Sequence, residues 1–197
     1  MRIPTWTIVA GAAAVAVLLG VTWMTAAGGY GEEGAAAGAR ITARWSFVWF
    51  LAAWSASSLA KLWPGGWRAT LLRRRRAVGL AFAANHFVHL GFVLTAVLGF
   101  GLERSAATLV GGGAAYLLVA AMAATSNDAA QRWMGLGHWR LLHAVGGWVV
   151  LLIFTNSYAG RLMTKPELAA PALALIATAL ILRAAAVLKG RLAPQAA

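Results

Sequence analysis

Residues 77–100 read AVGLAFAANHFVHLGFVLTAVLGF, twenty-four residues without one Lys, Arg, Asp or Glu. As a helix rising 1.5 Å per residue this stretch is about 36 Å long, enough to cross a hydrocarbon layer of about 30 Å. It follows directly on Arg73, Arg74, Arg75 and Arg76. A block of cations abutting an apolar run marks the cytoplasmic end of a span. The stretch therefore sets the solvent as lipid and gives one span its direction.

The same pattern recurs on both sides. Apolar segments of span length cover about 6–27, 46–63, 106–125, 139–160 and 168–188, which with 77–100 makes six. The chain has 197 residues, of which 61% are hydrophobic and 11% charged, with a mean hydropathy of +0.72. A soluble domain carries about 25% charged residues, so this chain lacks the polar surface to cover a globule in water. The expected fold class is all-α, a six-helix transmembrane bundle in contact with membrane lipid. The first segment is read as a retained span rather than a signal peptide, because Trp6 and Trp23 near its ends suit an aromatic belt.

Seventeen Lys and Arg stand against five Asp and Glu. In a soluble chain that excess would suggest nucleic acid; here the cations sit between apolar runs, so topology explains them and no nucleic-acid partner is expected. With the N-terminus in the cytoplasm, twelve basic residues fall inside and five (Arg40, Arg44, Arg104, Arg161 and Lys165) fall outside. Both termini are thus expected to be cytoplasmic. The organisation read from these patterns is a first helix and external loop at 1–44, a core of helices two to five at 45–160, and a sixth helix with a cytoplasmic tail at 161–197.

Several chemistries are excluded by composition. The absence of cysteine removes disulfides, thiolate-ligated iron–sulfur clusters and zinc, and covalent C-x-x-C-H haem attachment. No stretch is long enough for a soluble nucleotide- or flavin-binding domain. The span interiors hold no Asp or Glu, which argues against a proton-coupled transporter. They do hold His86 and His89 in the third span and His143 near the start of the fifth, while His138 falls in the preceding loop. Neutral imidazoles on separate helices suit a b haem held inside a bundle. Gly146 and Gly147 leave room beside His143 for a flat macrocycle, Asn85 lies one turn before His89, and Phe82, Phe87, Phe92, Trp139 and Trp148 are candidates to line the ring. Structural histidines or a transport role remain open on these residues alone.

Two motifs carry a family resemblance. Arg75-Arg76-Ala77-Val78-Gly79-Leu80, followed by His89, resembles the R-R-x-x-G-L…H pattern of ferric-reductase-like transmembrane proteins. Thr125-Ser126, Gln131-Arg132 and then Trp139-x-x-Leu142-His143 resembles the second signature of that group. The likeness covers about residues 43–160 and is closest to the haem-binding membrane subunit of the periplasmic methionine sulfoxide reductase system, the MsrQ/YedZ type. It implies a multi-pass protein of the bacterial inner membrane, an electron-transfer subunit of an oxidoreductase system rather than a complete enzyme. It also implies that His89 and His143 are the axial ligands of haem iron; beside them His86, Asn85 and Gly147, from their positions, and Arg76, from the motif, are candidate cofactor-binding residues. The partners implied are a periplasmic reductase and a cytoplasmic electron donor. The alternatives are a haemless relative serving as a small-solute transporter or membrane scaffold, and a single-haem ferric or quinone reductase.

The sequence also departs from the family. Where a further histidine is usual, thirteen residues after His143, stands Asn156, and Leu102 and Glu103 occupy the outer end of the third span. One haem b is therefore expected rather than two, nearer the cytoplasmic face; Asn156, Ser157 and Tyr158 then either hold a further carrier such as a quinone or flavin or simply wet the interface. Depth is a second difficulty, since His89 lies about 18 Å into its span and His143 about 6 Å. Either the fifth helix starts earlier, near Trp133, which is the favoured reading, or helix tilt closes the gap, or His86 is the true partner.

Overall fold

The computed structural model describes residues 3–192. Arg2, counted above among the cytoplasmic cations, and the tail beyond Leu192 lie outside the described residues. Everything with regular structure among those described is helical, as lipid demands of a backbone that finds no water to bond. The helices are α1 (Thr5–Ala26), α2 (Glu32–Leu62), α3 (Gly66–Arg73), α4 (Arg75–Leu94), α5 (Ala106–Ala124), α6 (Asp128–Met134), α7 (Leu136–Ala159) and α8 (Pro166–Leu192). A π turn, Thr95–Gly99, extends α4.

Five helices are long and apolar enough to cross a membrane: α1, α4 with its π turn, α5, α7 and α8. The second expected span, 46–63, is the C-terminal half of α2, which is not among them. Its tryptophans and serines dilute its hydropathy, and Glu32, Glu33, Arg40 and Arg44 lie on the half before it. What holds that first half helical is packing, because the run 34–39 of Gly and Ala is buried, with α1 and α4 the main neighbours of α2.

Small residues make this packing possible, since in lipid close backbone approach replaces the hydrophobic drive to associate. On α1 the buried residues are Ala12, Ala16 and Gly20, spaced by four so that they share one face. Phe92 of α4 fills the crossing of the three helices: a Cβ on Gly20 or Gly38 would overlap its ring. The other half of the bundle is built on larger side chains. Phe47, Phe50 and Trp54 of α2 meet Phe82 of α4, Leu151, Phe154 and Tyr158 of α7, and Ala172, Ile176 and Ala179 of α8 in one buried cluster. Each set follows helical spacing.

Two short helices close one end. Gly65 and Gly66, both at positive φ, lead from α2 into α3. Asn127 caps α6 by accepting from the Ala130 amide at 2.8 Å. Gly135 then turns the chain at φ 75°, a conformation open to glycine, so α7 begins at Leu136. The fifth span thus starts before Trp139 but not as far back as Trp133, which belongs to the separate helix α6. Cross-links at this end join distant segments: Arg76 pairs with Asp128 at 2.6 Å, Lys189 donates to the Leu62 carbonyl at 2.9 Å, and Arg74 donates to the Ile3 carbonyl. At the opposite end Tyr30 packs edge-on against Phe100.

Candidate cofactor site

Two groups of polar side chains lie inside the bundle, at different depths. The deeper one is built on α4. His86 stacks on Tyr116 of α5 with ring centroids 4.7 Å apart, and His89, one turn on, lies 5.4 Å from His86. His89 Nδ1 is 3.4 Å from Thr42 Oγ1 on α2, a long hydrogen bond. The single proton of Thr42 points elsewhere, since its Oγ1 donates to the Gly38 carbonyl at 2.7 Å. Thr42 is thus arranged to accept from His89, and the tautomer that suits this contact carries its proton on Nδ1 and its lone pair on Nε2. A haem or metal takes a nitrogen in that state.

Around these imidazoles several polar atoms have no partner. Both amide atoms of Asn85, His86 Nδ1 and the Tyr116 hydroxyl are buried and unbonded. Asn85 is fully buried. Leaving a buried donor or acceptor unsatisfied costs about 1–3 kcal/mol, so a cluster of this kind is expected where a ligand supplies the missing bonds.

The shallower group is built on α7 at the α6 end. His143 Nε2 is 3.4 Å from Thr125 Oγ1, which itself donates to the Ala121 carbonyl at 2.7 Å. By the same reasoning the tautomer of His143 that suits this contact carries its proton on Nε2. Trp139 lies against it with ring centroids 4.2 Å apart and donates to the Thr125 carbonyl at 2.9 Å.

Helix α5 measures the distance between the two groups. Tyr116 touches His86 and Thr125 touches His143; the nine-residue step from one to the other amounts to about 14 Å along the axis. The expected axial pair, His89 and His143, is not brought together. The earlier start of α7 deepens His143 only to about 10 Å, against about 21 Å for His89. The room expected beside Gly146 and Gly147 is also taken. A Cβ on Gly146 would lie 2.6 Å from Met122 Sδ, and one on Gly147 would lie 2.9 Å from the Trp54 ring. In kind the donors suit a haem; in position His89 and His143 do not fit one iron, and on α4 both His89, through Nε2, and His86 have a ring nitrogen without a hydrogen bond.

The remaining expected contacts are scattered. Arg76 is engaged by Asp128. Phe82 is in the aromatic cluster, Phe92 is wedged between α1 and α2, and Trp148 stands edge-on to Trp54, so these rings line no common cavity. Phe87 faces an open groove of about 770 Å³ between α1, α4 and α5, whose lining contains no histidine. Asn156 is exposed, while Ser157 and Tyr158 line a second cavity of about 190 Å³ at the opposite end. That volume is below the roughly 300–1,000 Å³ of ordinary cofactor sites, too small for a flavin. Leu102 and Glu103 follow the end of the π turn and are not on a helix. Among the described residues no three His, Asp or Glu side chains converge on a point that would hold a bare metal ion.

Sequence reasoning missed Thr42 and Tyr116. Thr42 lay outside any segment of span hydropathy. Tyr116 was visible as a lone phenol in an Ala, Gly and Leu helix, where a polar group is costly enough to mark a position. No family model, no curated protein and no solved structure matches this chain.

Proposed function

We propose that this multi-pass membrane protein is an electron-transfer subunit of the ferric-reductase-like kind, passing electrons within or across the bacterial inner membrane to a redox partner protein. The observation that carries the reading is His89, held by Thr42 with Nε2 free, in a buried neighbourhood of unpartnered Asn85, His86 and Tyr116 atoms. A b haem, when bound, supplies reversible one-electron transfer. This chain's own residues would contribute the His89 imidazole, its orientation through Thr42, and hydrogen-bonding capacity from Asn85 and Tyr116. His143 takes no part as a ligand at that depth; with Trp139 and Thr125 it ties α7 to α5.

A second reading is favoured by the filling of the Gly146 and Gly147 spaces by Met122 and Trp54. It makes the chain a haemless relative serving as a membrane scaffold. The two part on a reduced-minus-oxidised absorption spectrum of the purified protein, with haem quantified per chain. The electron-transfer reading expects a b-type band lost in His89→Ala and kept in His143→Ala. No haem in wild-type protein expressed with ample haem supply leaves the scaffold reading.

A further inference from the structure

The 190 Å³ cavity at the end opposite α3 and α6 lies where α2, α7 and the turn into α8 meet. It is lined by Arg40, Arg44, Arg161 and Lys165, by Ser157, Tyr158 and Thr164, and by the apolar side chains of Ala43, Phe154 and Leu168. Arg40 and Arg44 stand one turn apart on α2, and a third guanidinium is steered by Ser157, whose Oγ is 2.6 Å from an Arg161 nitrogen. No carboxylate lines the cavity. The acids nearest in sequence, Glu32, Glu33 and Glu167, form no ion pair with these cations, and the one ion pair among the described residues is Arg76–Asp128 at the other end. Four like charges around one small cavity repel one another unless an anion enters.

Charge placement makes the convergence more telling. The basic-residue count puts only five cations on this side of the bundle, a side that topology keeps poor in Lys and Arg. Four of those five line this one cavity, with Arg104 the exception. A topology signal would not gather them. Three guanidiniums present planar forks that match tetrahedral oxyanions two bonds at a time. Tyr158 is buried, with 7% of its surface exposed, and packs at a tilt against Phe47, its ring centroid 5.0 Å away, so one wall is rigid. The apolar floor and the position at the ends of the spans suit a group at headgroup depth.

We propose that this cavity is a binding site for a phosphate oxyanion, carried by an anionic phospholipid headgroup or present as free phosphate. The site is independent of the cofactor reading and stands whether or not haem is bound. The test uses the full chain purified in detergent, with two probes. In one arm the protein is washed in mixed micelles of phosphatidylglycerol and phosphatidylcholine, and retained lipid is measured by native mass spectrometry. In the other, inorganic phosphate is titrated calorimetrically into delipidated protein. Wild type is expected to retain phosphatidylglycerol over phosphatidylcholine at least tenfold, or to bind phosphate saturably; the first names a lipid as the source, the second a free anion. Arg44→Gln with Arg161→Gln should abolish whichever is seen. The rim pair Arg40→Gln with Lys165→Gln should weaken it severalfold and serves if the first pair does not yield monodisperse protein. Wild type with neither property, or binding unchanged in the monodisperse variants, overturns the proposal.

Discussion

Thr42 is the side-chain hydrogen-bond partner of His89, and this makes it the sharpest single position to change. Replacing it with Val keeps the shape and removes the acceptor that holds Nδ1–H. Loss of such a supporting partner typically costs about 10–100-fold in affinity at a histidine-held centre. Thr42→Val is therefore expected to lower haem retention by that order while leaving the chain inserted; full haem occupancy in this variant would show that His89 needs no such support. Asn85 offers the converse test. Its buried amide has no partner, so Asn85→Leu in cofactor-free protein is expected to raise stability, by about 1–3 kcal/mol, read as a higher melting temperature in detergent. A fall instead would mean that water or another group already satisfies the amide. The histidines themselves were legible in sequence, because an imidazole in lipid is conspicuous. Their pairing was not. The motifs paired His89 with His143 although their depths in the spans, about 18 Å and about 6 Å, already set them apart, and about 14 Å of α5 separates the two groups.

At the scale of elements, most of the bundle could be read from hydropathy. The expected spans at 77–100 and 106–125 differ from α4 with its π turn and from α5 by one or two residues. The failures share one cause. The first half of α2 and the helices α3 and α6 are helical through tertiary packing, capping and interfacial position rather than through partition into lipid, so their signal is absent from any hydropathy window. The α1–α2–α4 crossing shows how much rests on side-chain size. Gly38→Ala should push a methyl into the Phe92 ring, and overpacking of this kind costs about 1–3 kcal/mol. The measurement is unfolding in a mixed micelle. Adding Phe92→Ala should recover much of the loss, since the two changes touch the same space and their effects do not add. Strict additivity in the double variant would rule out the crossing as the source.

For the whole molecule, five helices among the described residues are long and apolar enough to cross a membrane, and α2 packs alongside them. The absence of native cysteine makes the arrangement directly testable, because any thiol introduced is the only one present. Cysteine at Ser105, in the turn before α5, is expected to react with a membrane-impermeant maleimide added to intact cells. Cysteine at Asn127, before α6, is expected to react only after lysis; the reverse pattern would invert the bundle. The length of α2 adds one more consequence. Thirty-one residues make a rod of about 46 Å, some 16 Å longer than a hydrocarbon layer of about 30 Å. A bilayer can house it only by letting it protrude or lean. Lodged in a layer of that thickness, α2 is expected to carry its first turns, with Arg40 and Arg44, beyond the acyl chains and into the headgroup region.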